Sequence, residues 1–467
     1  MTDLSTRTDK LDIKALDSAE LTAHLATLGQ PAYRARQIER WLYAPVGIVG
    51  ADEVAEAVVD SGAQAAEVLG EVAAGSEAEA SGAQSTEPQQ ATQPRAGVRS
   101  FDEMTDLPLA LRELLSRSCS LSFPEVSKRL VSRDGSRKYL LRLADGAFVE
   151  CVGIPTKSSL TVCFSTQVGC AMGCVFCATG SAGLARSLTP GEMVDQLSVV
   201  AADFEGRRIT NAVAMGQGEP FANYDATLAA LRFMNNPKLL GIGARHLTVS
   251  TCGLLSGLRR FSTEPEQFTL AISLHSAVQK TRDVLMPGLA TQPLLELQKT
   301  LANYAEKTRR RPSLEYALIE GVNDTDEELE ALIAFCKWGS ERRSLSFHVN
   351  LIPLNSVGGA DDASGGGAAS SGGAALGGGA ASSGAGGGVR ASSGGVGAGG
   401  AASSSAGGGV RASSGGVGAG ALVLRPSLPA RVEEFARALK NASLEVTIRS
   451  SRGDDINGAC GQLAGSR

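Results

Sequence analysis

No run in this sequence approaches the ~20 consecutive apolar residues that a membrane-spanning helix needs. The start, Met1 to Thr6, lacks the basic region and apolar stretch of a secretion leader. A cytoplasmic protein with no membrane partner, acting as a monomer, is the resulting expectation. In that compartment nine cysteines (119, 151, 163, 170, 174, 177, 252, 336 and 460) are reduced thiols for metal binding or chemistry, not a disulfide scaffold. What the chain does have, 467 residues and 43% hydrophobic content, suffices for two or three domains with a sizeable core.

Excess positive charge is also missing. A net charge of -5 argues against a nucleic-acid partner, but the distribution is uneven. The stretch from Val46 to Gly97 carries nine acidic residues and one Arg, so the remainder is net +3, with basic clusters at Arg34, Arg36 and Arg40, at Arg207 and Arg208, and around Arg309 to Arg311. An RNA substrate is permitted on these grounds, although short basic clusters are commonly just solvated faces.

Two low-complexity stretches divide the chain. Residues 46–97 are acidic and rich in Ala, Glu and Gln, a composition that favours disorder. Residues 358–420 are nearly all Gly, Ala and Ser, contain no aromatic residue and repeat one fourteen-residue string from Gly386 and again from Gly407. Nothing in that repeat can build a core, so it reads as a long flexible insertion. The remaining segments form a plan of a helical N-terminal domain (1–45, completed in 98–159 by a helix and a hairpin), a core at 160–357 and a C-terminal part at 421–467. Leu21, Leu25 and Leu28, then Ile38, Trp41 and Leu42, give the helical spacing; Asp145-Gly146 marks the hairpin turn.

From Leu160 strand-like and helical runs alternate. Strands are expected at Leu160–Phe164, Asn211–Met215, His246–Ser250, Thr269–Leu274, Leu314–Ile319 and Phe347–Ile352, with helices such as Pro190–Phe204 and Asp324–Lys337 between them. Six βα units predict an α/β fold with a parallel sheet, plausibly a partial (βα)6 barrel, whose function sits at the C-terminal strand ends. Gly218, Glu219, Ser250, Ser273, His275 and Asn350 fall at or near such ends.

Just after the first of these strands, Cys170, Cys174 and Cys177 form a C-x3-C-x2-C run containing no His or acidic ligand. Thiolates select zinc, copper(I) or iron-sulfur over hard cations. Three ligands leave a coordination position open, as a catalytic centre requires. Cys163, seven residues upstream, could instead complete a four-Cys zinc site, so both readings stand on spacing alone.

The triplet with Phe176 resembles the signature of radical S-adenosylmethionine (SAM) enzymes. Further motifs narrow the resemblance: Gln167-Val-Gly-Cys170, Met215-Gly-Gln-Gly-Glu-Pro220, Ser250-Thr-Cys-Gly253, Ser273-Leu-His275, Val349-Asn-Leu-Ile-Pro-Leu-Asn355 and Arg452-Gly-Asp-Asp-Ile-Asn-Gly-Ala-Cys-Gly-Gln-Leu463. In this order they resemble the RlmN family of dual-specificity adenine-C2 RNA methyltransferases, and Arg36 to Tyr43 is similar to that family's accessory helix. The match spans both ends and everything between except the two insertions.

The resemblance implies a 4Fe-4S cluster on Cys170, Cys174 and Cys177, and SAM, two per turnover, contacted by Gly218, Glu219, Ser250, Ser273, Leu274, His275 and Asn350. It implies that Cys460 becomes an S-methylcysteine and that Cys163 closes a disulfide with it to release the product. Glu150 matches the position assigned to proton acceptance, although the Cys163 thiolate could equally take that proton. The implied partners are 23S rRNA and tRNA, an external electron donor and a disulfide reductant. Residue by residue, plainer readings exist: a tight turn with a solvated Glu at 219, a hairpin surface charge at Glu150, an inert buried thiol at Cys460. At the level of function the rivals are a Cfr-type enzyme methylating adenine C8 and a zinc-stabilised RNA-binding module without catalysis.

Overall fold

The computed structural model describes residues 10–43, 98–205, 207–338, 347–355 and 424–464. Both inserted stretches, 46–97 and 358–420, lie outside the described residues.

After the short strand β1 (Leu11–Asp12), Asp17 opens α1 (Ser18–Thr27) with a capping box: its carboxylate accepts from Ala19 and Glu20 N–H while Glu20 reaches back to Asp17 N–H. Leu21 and Leu25 of α1 face Ile38 and Leu42 of α2 (Tyr33–Tyr43), and Leu111 and Leu115 of α3 (Leu109–Ser118) close the group; all six are buried. The expected accessory helices are therefore present, and Pro108 is the residue that precedes the third. Strand β2 (Cys119–Ser120) pairs with β1 in parallel.

The antiparallel strands β3 (Glu125–Val131), β4 (Arg137–Arg142) and β5 (Phe148–Pro155) lead into the core, with Asp145-Gly146 at the expected hairpin turn and Gly146 at φ 88°. β6 (Leu160–Cys163) pairs antiparallel with β5 and parallel with β9 (Asn211–Ala214). Between them lie the small ribbon β7 (Gln167–Gly169) and β8 (Leu184–Ser187), the single turn α4 (Ala178–Ser181) and helix α5 (Pro190–Asp203). Thr189, Pro190 and Glu192 start α5 by the same capping-box logic as α1, with proline at a first-turn position.

The pattern then repeats: α6 (Tyr224–Asn235), β10 (Leu247–Thr251), α7 (Leu255–Phe261), β11 (Thr269–Ser273), α8 (Gln279–Leu285), α9 (Leu294–Thr308), β12 (Ser313–Leu318), α10 (Asp326–Lys337) and β13 (His348–Pro353). After the second insertion, α11 (Pro429–Asn441) precedes β14 (Glu445–Ile448). In space the sheet runs β14-β13-β12-β11-β10-β9-β6-β5-β4-β3, an open order consistent with a partial barrel.

The six expected parallel strands match within one or two residues at their ends. A seventh, β14, extends the parallel set beside β13, and β3 adds an outer antiparallel edge. Neither was foreseen, because β14 is short and largely exposed and β3 carries six exposed residues of seven, so neither has an apolar signal. One buried cluster runs from the helical domain into the sheet and its helices, and a smaller one, of Cys252, Leu285, Met286, Leu289 and Ile319, packs against Met172, Cys174 and Phe176.

Candidate active site

The cluster loop is built by its backbone. Gly183 carbonyl accepts from Cys170 N–H at 2.8 Å, Leu285 carbonyl from Val175 N–H at 3.0 Å, and Met172 carbonyl from Gly288 N–H at 3.0 Å. At Gly288 a Cβ atom would lie 2.7 Å from the Met172 carbonyl oxygen, so that approach requires glycine. Cys177 stands at the N-terminus of α4, and Ala178 N–H donates to Gly461 carbonyl at 2.7 Å, which ties this loop to the C-terminal segment.

Cys170, Cys174 and Cys177 line one cavity at the C-terminal ends of the parallel strands, together with Gly218, Glu219, Ser250, Ser273 and His275. Sequence reasoning named every one of these eight. Burial holds the Cys174 thiol well above its ordinary range and pushes Cys170 up to about 11. Such desolvated sulfurs stay protonated on their own, and metal binding would draw off their protons.

Glu219 is buried, not the solvated turn residue of the plainer reading. Its carboxylate accepts from Thr251 Oγ1 at 2.6 Å, Cys252 N–H at 2.7 Å and Phe221 N–H at 2.9 Å. Burial raises its pKa, and these donors pull it back down. Gly218 turns the chain at φ 101°, and a Cβ there would sit 2.6 Å from Gln167 Cβ.

His275 is a non-glycine residue at φ 55°, held by Asn323 Nδ2 donating to its carbonyl at 2.6 Å. Its Nδ1 accepts from Ala317 N–H at 3.0 Å, so the ring proton belongs on Nε2. Burial, with Arg282 nearby, lowers its pKa to about 3 and keeps the ring neutral.

Two expected contacts stand apart from this cavity. The Leu274 side chain is fully buried in the core, so its backbone alone is left to act there. Asn350 Nδ2 donates to Glu315 Oε1 at 2.8 Å, and Asn350 lines neither this cavity nor its neighbour. Asn355, five residues on in the same motif, lines both and donates to Cys460 carbonyl at 3.0 Å. The family resemblance named Asn350; the side chain of this motif that forms the cavity wall is Asn355.

A second cavity adjoins the first. Cys163, Met215, Arg449 and Cys460 line it, and Cys460 and Arg449 line the first as well. Cys460 therefore stands at the junction. Its side chain touches solvent, yet the surrounding protein raises its thiol, with Arg449 opposing; burial pushes Cys163 up to about 12. Arg449 Nη1 donates to Glu315 Oε2 at 3.1 Å. Sequence reasoning missed Arg449 and Glu315, since one charged residue on a strand carries no signal until a cavity forms around it.

Cys163 lines the second cavity rather than the one holding the triplet. Among the described residues, no three Cys, His, Asp or Glu side chains are arranged to hold a single metal ion. A cuboidal cluster makes a different demand, because its thiolates bind separate irons. Three converging thiols without a fourth protein ligand fit that demand.

Glu150 is buried on β5 and is no hairpin surface charge. Lys138 Nζ lies 2.9 Å from its Oε1, and Ala464 N–H donates to Oε2 at 2.8 Å. It lines neither cavity.

Residues 164–336 match the model of the Radical SAM superfamily. A "Probable dual-specificity RNA methyltransferase RlmN" of Moorella thermoacetica is 34% identical over 464 residues, covering 98% of each chain. The chain belongs to the RlmN family. A second RlmN relative, from Pelotomaculum thermopropionicum, is 46% identical over 262 residues, 56% of this chain and 70% of that one. The crystal structure of a radical SAM methyltransferase from Sphaerobacter thermophilus superposes with a TM-score of 0.67 at 31% identity, covering 98% of this chain and all of that one. RlmN membership implies a 4Fe-4S cluster and SAM, and the triplet with the residues beside it provides the thiols, carboxylate and hydroxyls to hold them. Among the described residues no helix is long and apolar enough to cross a membrane.

Proposed function

We propose that this chain methylates C2 of an adenine in 23S rRNA and in tRNA, through a methyl group carried on Cys460. The observation that carries this reading is the place of Cys460, between a cavity lined by the cysteine triplet and a cavity lined by Cys163. Cys170, Cys174 and Cys177 would hold the cluster, and Glu219, Ser250, Ser273 and His275 would contact SAM. When bound, the cluster and SAM supply a methyl group for Cys460 and, from a second SAM, the radical that activates that methyl.

The chain's own residues do the rest. The Cys460 sulfur accepts the methyl as a thiolate, losing its proton. Arg449, beside both thiols, favours the charged form, since a nearby cation lowers a thiol pKa. After the methyl-derived carbon has bonded to C2, the C2 proton leaves to a base and the one unpaired electron to the external redox partner. Cys163, as a thiolate, then attacks the Cys460 sulfur, so that the S–S bond forms, the sulfur–carbon bond breaks with its electron pair on carbon, and that carbon takes up a proton as the methylated base leaves. An external thiol reductant then restores both cysteines, and a separate donor reduces the cluster. The target adenine must be unpaired or flipped out for its C2 edge to reach the cavity.

Nucleoside mass spectrometry of RNA from cells lacking and re-expressing the protein tests the reading. The expected result is 2-methyladenosine that disappears and returns with the protein. 8-Methyladenosine would assign the Cfr-type reaction instead. A colourless, zinc-loaded protein from anaerobic purification, with no change in RNA, would leave the non-catalytic module.

A further inference from the structure

The eight residues from Asn457 to Ala464 carry Cys460 near their middle, and one buried ion pair holds both ends. Lys138 on β4 stands opposite Val152, and Leu140 stands opposite Glu150, so Lys138 and Glu150 are diagonal neighbours on one face of the sheet. Their charged ends lie 2.9 Å apart, with side chains 9% and 2% exposed. Lys138 Nζ also donates to Asn457 carbonyl at 2.9 Å, and Glu150 Oε2 accepts from Ala464 N–H at 2.8 Å.

Two charges buried this deeply gain little over an apolar pair of similar size unless their remaining hydrogen-bonding capacity is used. Here it is used on backbone. A lysine can donate to a carbonyl and a carboxylate can accept from an amide, whereas a Met–Leu pair would fill the space and hold neither end of the segment. Glu150 Oε1 faces Lys138 Nζ while Oε2 takes the Ala464 backbone N–H, and neither Lys138 nor Glu150 lines either cavity.

We propose that Lys138 and Glu150 are positioning residues that pin Asn457 and Ala464 and so set the Cys460 thiol at the boundary of the two cavities. Glu150 acts through this segment and does not accept the proton from the base. The inference rests on the function proposed above, because Cys460 must meet a methyl donor on one side and Cys163 on the other. The fastening itself is independent of chemistry. Around it, Thr179 Oγ1 donates to Leu463 carbonyl at 2.5 Å and Gln462 Nε2 to Asp454 Oδ1 at 2.7 Å, which leaves the thiol as the part of the loop free to change partners.

Full-length, cluster-containing protein with Lys138→Met, Glu150→Gln or Lys138→Arg provides the test. Three quantities are read: hydrogen exchange across 457–464 against the rest of the sheet, the mass of the Cys460 peptide, and covalent protein–RNA adduct. Lys138→Met and Glu150→Gln should each exchange at least about tenfold faster in that segment alone. Both should lose methyl-Cys460 by a similar factor without accumulating adduct, and Lys138→Arg should restore part of the protection. If Lys138→Met keeps native protection, the inference is overturned; it is also overturned if Glu150→Gln keeps full Cys460 methylation and accumulates adduct, a result that would make Glu150 the proton acceptor. Should a single variant not fold, Lys138→Met with Glu150→Leu supplies the packing without the tether; native exchange at 457–464 in that double variant also overturns it. Exchange needs no turnover, so a wild-type protein that makes no 2-methyladenine defeats the proposed function while the fastening is still measured.

Discussion

At the scale of single residues, identity and location separate cleanly. The cysteine triplet is visible in sequence because its members fall within eight residues and their spacing has few other uses. Cys163 and Cys460 are almost 300 residues apart, and only the family resemblance joined them; in the fold they line one cavity. Replacing Cys163 by Ala removes the thiol that would break the sulfur–carbon bond to the base, so the variant should carry RNA covalently on Cys460. Gel electrophoresis of protein purified with and without nuclease reads this directly, and free protein with an intact cluster would argue against the resolving role. Asn350 and Asn355 show where residue-level reading stops. Both are asparagines of one motif, and which one faces the cavity depends on the pleat and end of β13.

At the scale of elements, the apolar spacing of α1 and α2 and the alternating strand and helix runs from Leu160 were legible because their signals are local. The docking of the helical domain was not. Lys14, 1% exposed, reaches from that domain to Asp195 on α5, with Nζ 2.5 and 2.6 Å from the two carboxylate oxygens, and lies 4.0 Å from the Phe123 ring centre. Lys14→Met should destabilise the protein by about 3–5 kcal/mol, because it leaves Asp195 buried and unpaired. Lys14→Met with Asp195→Leu should recover most of that loss. Urea titration of the three proteins decides it: equal midpoints for wild type and Lys14→Met would mean that the pair contributes nothing. No sequence pattern announces such a pair, since the partners are 181 residues apart.

At the scale of the whole molecule, burial couples the site to overall stability. His275 is neutral in the fold with a pKa near 3, against an ordinary value near 6.5. Above pH 6.5 the folded and unfolded chains are both neutral at this ring. Below it the unfolded chain binds a proton that the native one refuses, so stability falls as pH drops from 6.5 towards 3, by up to about 1.4 kcal/mol per unit. His275→Asn, which tolerates the left-handed backbone, should flatten this loss in cluster-free protein; urea midpoints at pH 7 and 5.5 that shift equally in both would contradict it. The alternating apolar runs of the sequence determined by themselves that the chain folds as consecutive βα units, because periodicity is a local property that any segment expresses alone. Its cysteine spacing and motif order likewise determined the chemistry to expect. Tertiary structure alone decided that Glu150 is fastened to Lys138 and Ala464, that Arg449 lines two cavities, and that a seventh parallel strand, β14, leads directly into Arg449. Each of these depends on which distant surfaces share one low-dielectric space, and burial is a property of the assembled fold that no single segment carries.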